Sequence, residues 1–169
     1  MKKSLFLLVS LFLAGSLLAQ KYAIIDTRYI LDKMPFYKEA QQQLDGIAAD
    51  WQKEIDAKQE KLDKMYRDYD AEQVMLTEEL RKKREDQLYK LEKEVRDLQR
   101  KRFGFEGDLF KKRQELIKPI QDKVFNAVQK LSVSRGYELV FDKSEGITII
   151  FADPKLDKSE DVLKELGVR

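Results

Sequence analysis

The chain has 169 residues, of which 33 are Lys or Arg and 31 are Asp or Glu, and it contains neither cysteine nor histidine. Disulfide bonds, thiol nucleophiles and histidine-based catalytic triads are therefore excluded. The nearly neutral net charge also argues against nonspecific nucleic-acid binding, which needs an excess of clustered basic residues.

The first nineteen residues, MKKSLFLLVSLFLAGSLLA, place two lysines before an apolar run that ends in small residues. This order predicts a secretory signal peptide cleaved near Ala19, and the alternative is an N-terminal anchor that stays uncut. The mature chain is then expected to begin near Gln20, beyond the inner membrane of a bacterium. Without Lys2 and Lys3 it has 31 basic and 31 acidic residues, and so no net charge.

The first element predicted after the signal peptide is a short strand at Lys21–Asp26, KYAIID, because β-forming residues dominate there. Asp26 is placed to cap a brief helix with the sequence TRYILDK. Met34 precedes Pro35 and is biased towards extended backbone, while Pro35 suits the first position of a helix. A new helix is therefore predicted to begin at Pro35.

Residues 35–118 are predicted to form an antiparallel helical hairpin, or arm, because apolar residues recur in steps of three and four, as in a coiled coil. Thr77 and the two glutamates after it predict an N-cap, which puts the tip of the hairpin near residues 70–77. The outgoing helix has its seam at Tyr37, Ala40, Leu44, Ile47, Trp51, Ile55, Leu62, Met65 and Tyr69. The returning helix has its seam at Leu80, Leu88, Leu91, Val95, Leu98, Phe105, Leu109 and Leu116.

The two predicted helices carry opposite charge. Residues 35–76 contain six basic and ten acidic residues, whereas residues 77–118 contain fourteen basic and ten acidic residues. Opposite fields favour folding the helices back on each other over parallel self-association, although each exposed ion pair contributes little.

The last part of the chain is predicted to mix a helix with two strands. Pro119 kinks the returning helix, which then continues to Gly136. Strands are predicted at Tyr137–Phe141 and Ile147–Phe151, joined by DKSEG. A last helix, SEDVLKEL, is predicted to be capped by Ser159 and closed by Gly167.

These elements predict an α+β fold in which residues 20–34 and 119–169 form a small β-rich body and residues 35–118 form the arm. About three strands per chain leave open sheet edges, which copies of the same chain could close. The body is therefore predicted to be an oligomerisation module. The candidate oligomerisation residues are Tyr22, Ile24, Ile25, Leu139, Phe141, Ile149 and Phe151.

Catalytic and metal-binding patterns are weak. Lys143 and Ser144 could form a dyad, but adjacent residues in a turn rarely face each other, and the sequence has no glycine-rich phosphate loop. Four acids near the tip match a calcium-loop template, except that Gln73 stands where the template requires glycine; they are Asp68, Asp70, Glu72 and Glu79. We therefore expect no enzyme activity, no catalytic residue, no cofactor and no metal.

Apolar residues beyond the needs of the seam occur in two places. Phe103, Phe110, Ile117 and Val124 recur every seven residues, on a face predicted to differ from that of Phe105. A second group lies at the tip and consists of Met65, Tyr66, Tyr69, Val74, Met75 and Leu76. Either group could bind another polypeptide, or could serve only to pack the body and close the hairpin end.

The order of elements resembles the Skp/OmpH family of periplasmic chaperones over nearly all of the mature chain. The resemblance lies in the strand KYAIID leading into TRYIL, the long charged hairpin, and the segments GYELVFD, ITIIFAD and SEDVLKEL. It implies a homotrimer whose strands form a barrel and whose arms enclose a cavity. The resemblance also implies that unfolded outer-membrane proteins are held in this cavity without ATP. The candidate client contacts are Phe103, Phe110, Met65, Tyr66, Tyr69 and Met75.

Other functions remain open at this stage. The main alternative is a structural coiled-coil spacer or scaffold of the cell envelope. Local basic runs at residues 81–84 and 100–102 could favour anionic lipid or nucleic acid, but the acidic outgoing helix offsets them. We expect no nucleic-acid partner and leave a weak contact with a membrane surface open.

The stretch RFGFEGDLF places Gly104 and Gly107 inside the predicted returning helix, where each costs about 1 kcal/mol relative to alanine. If Pro35 and Pro119 mark one level of the hairpin, these glycines lie beside Gly46. We predict a narrow waist at this level, with Gly46, Gly104 and Gly107 as hinge candidates. The alternative is close helix packing without motion.

Overall fold

A computed structural model describes residues 20–168 with the exception of Ile147. The predicted signal peptide, residues 1–19, lies outside the described residues. The described chain divides into two units, one formed by residues 20–33 and 124–168 and the other by Met34–Lys123. We call them the strand unit and the arm unit. In the part of the chain that the structure describes, no helix has the length and apolar character needed to cross a membrane.

The strand unit contains a two-stranded parallel sheet of β1 (Tyr22–Ile25) and β2 (Leu139–Asp142). Tyr22 pairs with Leu139, and Ile25 pairs with Asp142. The prediction that strands from both ends of the mature chain meet is confirmed. Parallel strands need a long crossover connection. The connection between β1 and β2 includes the whole arm unit.

The predicted strand at residues 147–151 is wrong within its described part, because residues 148–151 form no strand. Ile150 is 97% exposed and Phe151 is 86% exposed. A strand at a sheet edge is stable only when its side chains pack on a neighbouring layer, and these two side chains have no such layer within the described chain. The described sheet therefore has two strands.

Three helices pack in the strand unit: α1 (Thr27–Lys33), the part of α5 (Lys118–Arg135) that starts at Val124, and α6 (Ser159–Glu165). Ile30 of α1 and Val162 of α6 are fully buried. The predicted cap of α1 is confirmed, because the Tyr29 amide donates to the Asp26 carboxylate at 2.9 Å.

The predicted cap of α6 is wrong, whereas its predicted end is confirmed. Lys158 occupies the cap position without a side-chain hydrogen bond. The buried Ser159 hydroxyl instead accepts a hydrogen bond from the Asp26 amide at 2.9 Å, since it lies against the end of β1. Gly167 ends the helix with a φ of 72°, in the left-handed region that glycine tolerates best.

The arm unit is built on two long antiparallel helices, α2 (Pro35–Glu72) and α3 (Glu78–Phe103). Pro35 stands at the start of α2, and the Thr77 hydroxyl accepts from the Leu80 amide at 3.4 Å, so both predicted helix starts are confirmed. Buried apolar side chains join the two helices. This seam cluster consists of Ile55, Leu62, Leu88, Leu91 and Val95.

The returning side of the arm breaks twice. The helix α4 (Asp108–Leu116) follows a gap at residues 104–107, and a second break at Ile117 precedes α5. Pro119 predicted the second break correctly. The seam predicted to continue through Phe105 is wrong, because the helix ends at Phe103.

The hairpin tip does not form a calcium loop. Asp68, Asp70 and Glu72 all lie within α2, whereas the template requires them in a loop that wraps the ion. No group of three or more potential metal-ligating side chains occurs among the described residues. The acids therefore contribute charge to the exposed end of the outgoing helix.

Candidate functional site

A tight turn separates α3 from α4, and we call residues 104–107 the GFEG turn. The Gly104 amide donates to the Arg100 carbonyl at 2.8 Å, which ends α3. The Gly107 amide donates to the Gly104 carbonyl at 2.9 Å and closes the turn. Glu106 has a φ of 53°, in the left-handed region that non-glycine residues rarely adopt.

The two glycines of the turn are required by local crowding. A Cβ atom at Gly104 would overlap the carbonyl oxygen of Arg100, and one at Gly107 would lie 2.8 Å from the carbonyl oxygen of Lys101. A Cβ atom at Gly46 would meet nothing within 4 Å. Gly46 therefore has open space where a narrow waist was predicted, while the hinge role of the three glycines stays a prediction.

Arg102 ties the turn to both of its neighbouring helices. Its guanidinium donates to Asp108 of α4 at 2.8 Å and to Glu54 of α2 at 3.2 Å. It also lies 4.7 Å from the centre of the Trp51 ring, at a distance typical of cation–π contacts. The Arg102 side chain is only 22% exposed, so solvent screens these contacts less than it screens those at the surface.

Phe103 and Phe105 face opposite to the prediction. Phe105 is 98% exposed, whereas Phe103 is partly buried against the seam cluster. The helical period places residues correctly only while the helix continues, and it stops at Phe103. Phe105 is therefore displayed by the GFEG turn and takes no part in the seam.

A shallow groove of about 340 Å³ lies beside the GFEG turn, with Phe103 and Gly104 in its lining. Arg96 and Arg100 also line it, and Gln99 completes the set. Arg96 forms an ion pair with Glu92 one helical turn away at 3.4 Å. The groove thus combines an aromatic surface with two guanidinium groups.

Phe110 of α4 is 46% exposed and contributes to a second groove, of about 260 Å³. Arg113 and Lys118 also line this groove, together with the buried Ile117. Within the predicted stripe of residues spaced seven apart, Ile117 and Val124 are buried in the core, so the stripe is not a continuous exposed face. Phe110 is its most exposed member.

The tip candidates divide into two groups. Met65 and Tyr69 pack against the seam cluster, and the Tyr69 hydroxyl donates to Glu85 of the opposite helix. Tyr66 and Met75 are exposed. Sequence reasoning missed further exposed apolar side chains, although their positions off the heptad seam could have identified them. On the arm unit these are Phe36 and Tyr89, and Leu80, which was predicted to lie in the seam, is 50% exposed.

The candidate oligomerisation residues also differ in exposure. Ile24 and Ile25 are buried within the single chain, so their apolar surface is already covered. Phe141 and Ile149 are half-buried, and the Phe141 ring centre lies 6.4 Å from that of Tyr22. The exposed members are Tyr22, Leu139 and Phe151.

Polar groups at the ends of the two strands form a structural network. The Lys143 ammonium donates to Asp157 at 2.7 Å, while the Ser144 hydroxyl pairs with that of Thr27, also at 2.7 Å. Lys143 and Ser144 thus have separate partners, so they do not form the dyad considered from the sequence.

Asp142 is the acceptor at the centre of this network. Burial raises the pKa of Asp142, but hydrogen bonds from Thr27 and Ser144 outweigh it and hold the pKa below its ordinary value. A lowered pKa in the folded state favours the charged form. The resulting stabilisation is present above the ordinary carboxyl pKa and is lost as the pH falls through the lowered one.

The fold is similar to that of a protein from Caulobacter crescentus CB15, described as an outer membrane chaperone (OmpH-like), whose crystal structure is known. The TM-score is 0.68 and the sequences are 13% identical, over 87% of this chain and 83% of that chain. No curated protein matches the sequence.

The sequence also matches a family model described as outer membrane protein (OmpH-like) over residues 21–166. The match spans both strands, the whole arm unit and the last helix, which is nearly all of the described chain. The chain therefore belongs to the OmpH-like family.

Proposed function

We propose that this protein is an ATP-independent periplasmic holdase, a chaperone that binds unfolded outer-membrane proteins and prevents their aggregation. Its membership of the OmpH-like family supports a chaperone role, as does its similarity in fold to the Caulobacter protein described as an outer membrane chaperone. The chain carries no histidine or cysteine for nucleophilic catalysis, and we propose no enzyme activity.

One observation carries this proposal: the arm unit exposes large apolar side chains although its seam cluster is already closed. These residues are not needed to pair α2 with α3, and they are spread from the start of α2 to the tip and on to α4. Exposed apolar side chains indicate a binding surface where they are adjacent, as Val74 and Met75 are at the tip of the hairpin. The exposed set includes Phe36, Tyr66, Val74, Met75, Leu80, Tyr89, Phe105 and Phe110.

Dispersed apolar contacts suit a client without fixed structure. Each contact is weak, but an unfolded chain can occupy several at once, and the high effective concentration of the later contacts raises the overall affinity. Methionine and tyrosine at the tip adapt to varied side chains. Release then needs no nucleotide when the folding of the client in the membrane is favourable.

The proposed working form is a homotrimer whose strand units form a barrel and whose arms enclose a cavity. The exposure of Tyr22, Leu139 and Phe151 supports association through the strand unit. Sedimentation equilibrium tests this form, and a monomer at working concentration would contradict it.

A holdase assay without nucleotide tests the proposed function. An outer-membrane barrel protein unfolded in urea is diluted into buffer with or without this protein, and light scattering follows its aggregation. We expect suppression at a stoichiometric ratio of trimer to client. Aggregation at the unassisted rate would contradict the proposal and favour the envelope spacer.

A matched variant shows whether the arm is responsible. Replacing Tyr66, Met75 and Phe110 by serine removes exposed side chains and leaves the seam cluster intact. Suppression should weaken while the helical circular dichroism is unchanged. Full suppression by this variant would place client binding elsewhere.

A further inference from the structure

We propose that the GFEG turn and the groove beside it form a defined subsite for client segments in which an apolar residue stands next to an acidic one. Phe105 contacts the apolar residue, and Arg96 and Arg100 pair with the carboxylate. Arg102 is a positioning residue that fixes the turn. The inference rests on the proposed function and names the kind of sequence that the arm selects.

The turn holds Phe105 in a fixed place. Arg102, which precedes the turn, binds Asp108, which follows it. Arg102 also binds Glu54 of α2. The hydrogen bond between Gly107 and Gly104 closes the turn itself. Because the backbone is already ordered, a ligand that packs on Phe105 loses less conformational entropy than it would on a flexible loop.

The exposed position of Phe105 is also maintained against an energetic cost. Glu106 adopts a left-handed conformation that a non-glycine residue takes up unfavourably, and the two flanking glycines leave no room for side chains. Strained backbone that the surrounding structure holds in place occurs preferentially at ligand-binding sites. Local strain and a 98% exposed aromatic side chain therefore coincide within one turn.

The groove indicates the chemistry of the occupant. Phe103 supplies an aromatic surface, and the guanidinium group of Arg100 suits a carboxylate, as does that of Arg96, which a client carboxylate would share with Glu92. Its volume of about 340 Å³ is at the lower end of the range for ligand pockets, which suits a few side chains of an extended segment. Charge complementarity thus favours an acidic and apolar polypeptide segment.

Peptide binding measures the charge preference. A fluorescein-labelled, unstructured peptide with Phe–Asp pairs is compared by anisotropy with a peptide in which each Asp is replaced by Lys. We expect the acidic peptide to bind at least about fivefold more tightly to the wild-type protein. The double variant R96Q/R100Q should remove this preference, and equal affinities of the wild-type protein for both peptides would overturn the proposal.

The contribution of Phe105 is measured with a matched control. Phe105→Ser should weaken binding of the acidic peptide about tenfold, which corresponds to loss of a largely buried phenyl group in the complex. Phe125→Ser removes an exposed phenylalanine of α5 that does not line the groove and is not among the proposed client contacts, and should change binding less than twofold. Equal losses in the two variants would overturn a specific subsite.

The full holdase assay separates failure of this inference from failure of the proposed function. If the wild-type protein suppresses aggregation and Phe105→Ser retains the peptide affinity of the wild type, only the subsite is wrong. If the wild-type protein leaves aggregation unchanged, the proposed function is wrong as well. A second copy of the chain is the other possible occupant, and a shift of Phe105→Ser to smaller oligomers in sedimentation would identify it and overturn the proposal.

Discussion

The part of the arm where α2 and α3 pair through the seam cluster, which we call the distal hairpin, and the GFEG turn belong to the same arm unit but are stabilised in different ways. In the distal hairpin, α2 and α3 pair through five buried apolar side chains. At the turn, backbone crowding, a left-handed residue and the ion pairs of Arg102 determine the conformation. The turn also displays an apolar side chain, whereas the distal seam covers its own.

This difference shows how one helical hairpin can provide both length and exposed apolar surface. A heptad seam extends the arm because each buried residue supports the next, but it leaves little apolar surface uncovered. A break in one helix interrupts that pattern, and side chains near the break face new directions. Variants that act on only one of the two regions can test this distinction.

The largest effect is expected in the distal seam. Leu62→Ala removes a side chain that is 4% exposed and should lower the free energy of unfolding by about 3 kcal/mol, because it leaves a cavity between the helices. Urea unfolding followed by circular dichroism measures the change. Lys61→Ala, at an exposed neighbouring position, should change stability by less than about 0.5 kcal/mol. Similar free energies of unfolding for the two variants would contradict the packing of Leu62 in the seam cluster.

The next largest effect is expected at the turn. Gly104→Ala should lower the free energy of unfolding by about 2 kcal/mol, because its methyl group overlaps the Arg100 carbonyl. The chain has one tryptophan, Trp51, and Arg102 lies over its ring. Its fluorescence should therefore change in Gly104→Ala but remain as in the wild type in Leu62→Ala under native conditions. Unchanged fluorescence and stability in Gly104→Ala would show that the turn tolerates a side chain.

A smaller effect of opposite sign is expected at Gly46. This residue lies inside the unbroken α2 with open space around it, so alanine should raise the free energy of unfolding by about 1 kcal/mol through its higher helix propensity. The comparison with Gly104→Ala separates a tolerated glycine from a required one. Destabilisation by Gly46→Ala would show that the arm needs flexibility or close contact at this level.

The distal hairpin could be predicted from sequence because its signals are local and repeated. Seam spacing, the cap at Thr77 and the opposite charges of the two helices all indicated the same pairing. Cross-helix ion pairs join Lys58 to Glu94 and Glu72 to Arg84, as an antiparallel hairpin requires. The predicted tip at residues 70–77 is close to the observed one.

The GFEG turn could not be predicted in the same way, although its glycines were noticed. Two glycines in a helix lower its stability without specifying whether the helix breaks. The break depends on Arg102 reaching Glu54 and Trp51, which are distant in sequence. The strand predicted at residues 147–151 shows a similar limit, since its described part forms no strand. A strand there would need a packing partner, and a local sequence pattern does not reveal whether one is present.

The smallest effect is expected from the strained residue of the turn. Glu106 has a φ of 53°, so Glu106→Gly removes an unfavourable backbone conformation and should raise the free energy of unfolding by about 0.5 kcal/mol, after allowing for the greater entropy of glycine in the unfolded chain. The midpoint of thermal unfolding should rise by about 1 to 2 °C.

Glu106→Ala is the matched control, because it removes the same charge but keeps a Cβ atom in the left-handed conformation. Stabilisation by glycine and not by alanine would assign the effect to the backbone. Equal stabilisation by both would assign it to charge, since Glu106 lies close in sequence to Asp108. In the first case the turn stores strain while holding Phe105 exposed, and the distal hairpin, with its buried seam, contains no residue of this kind among those described.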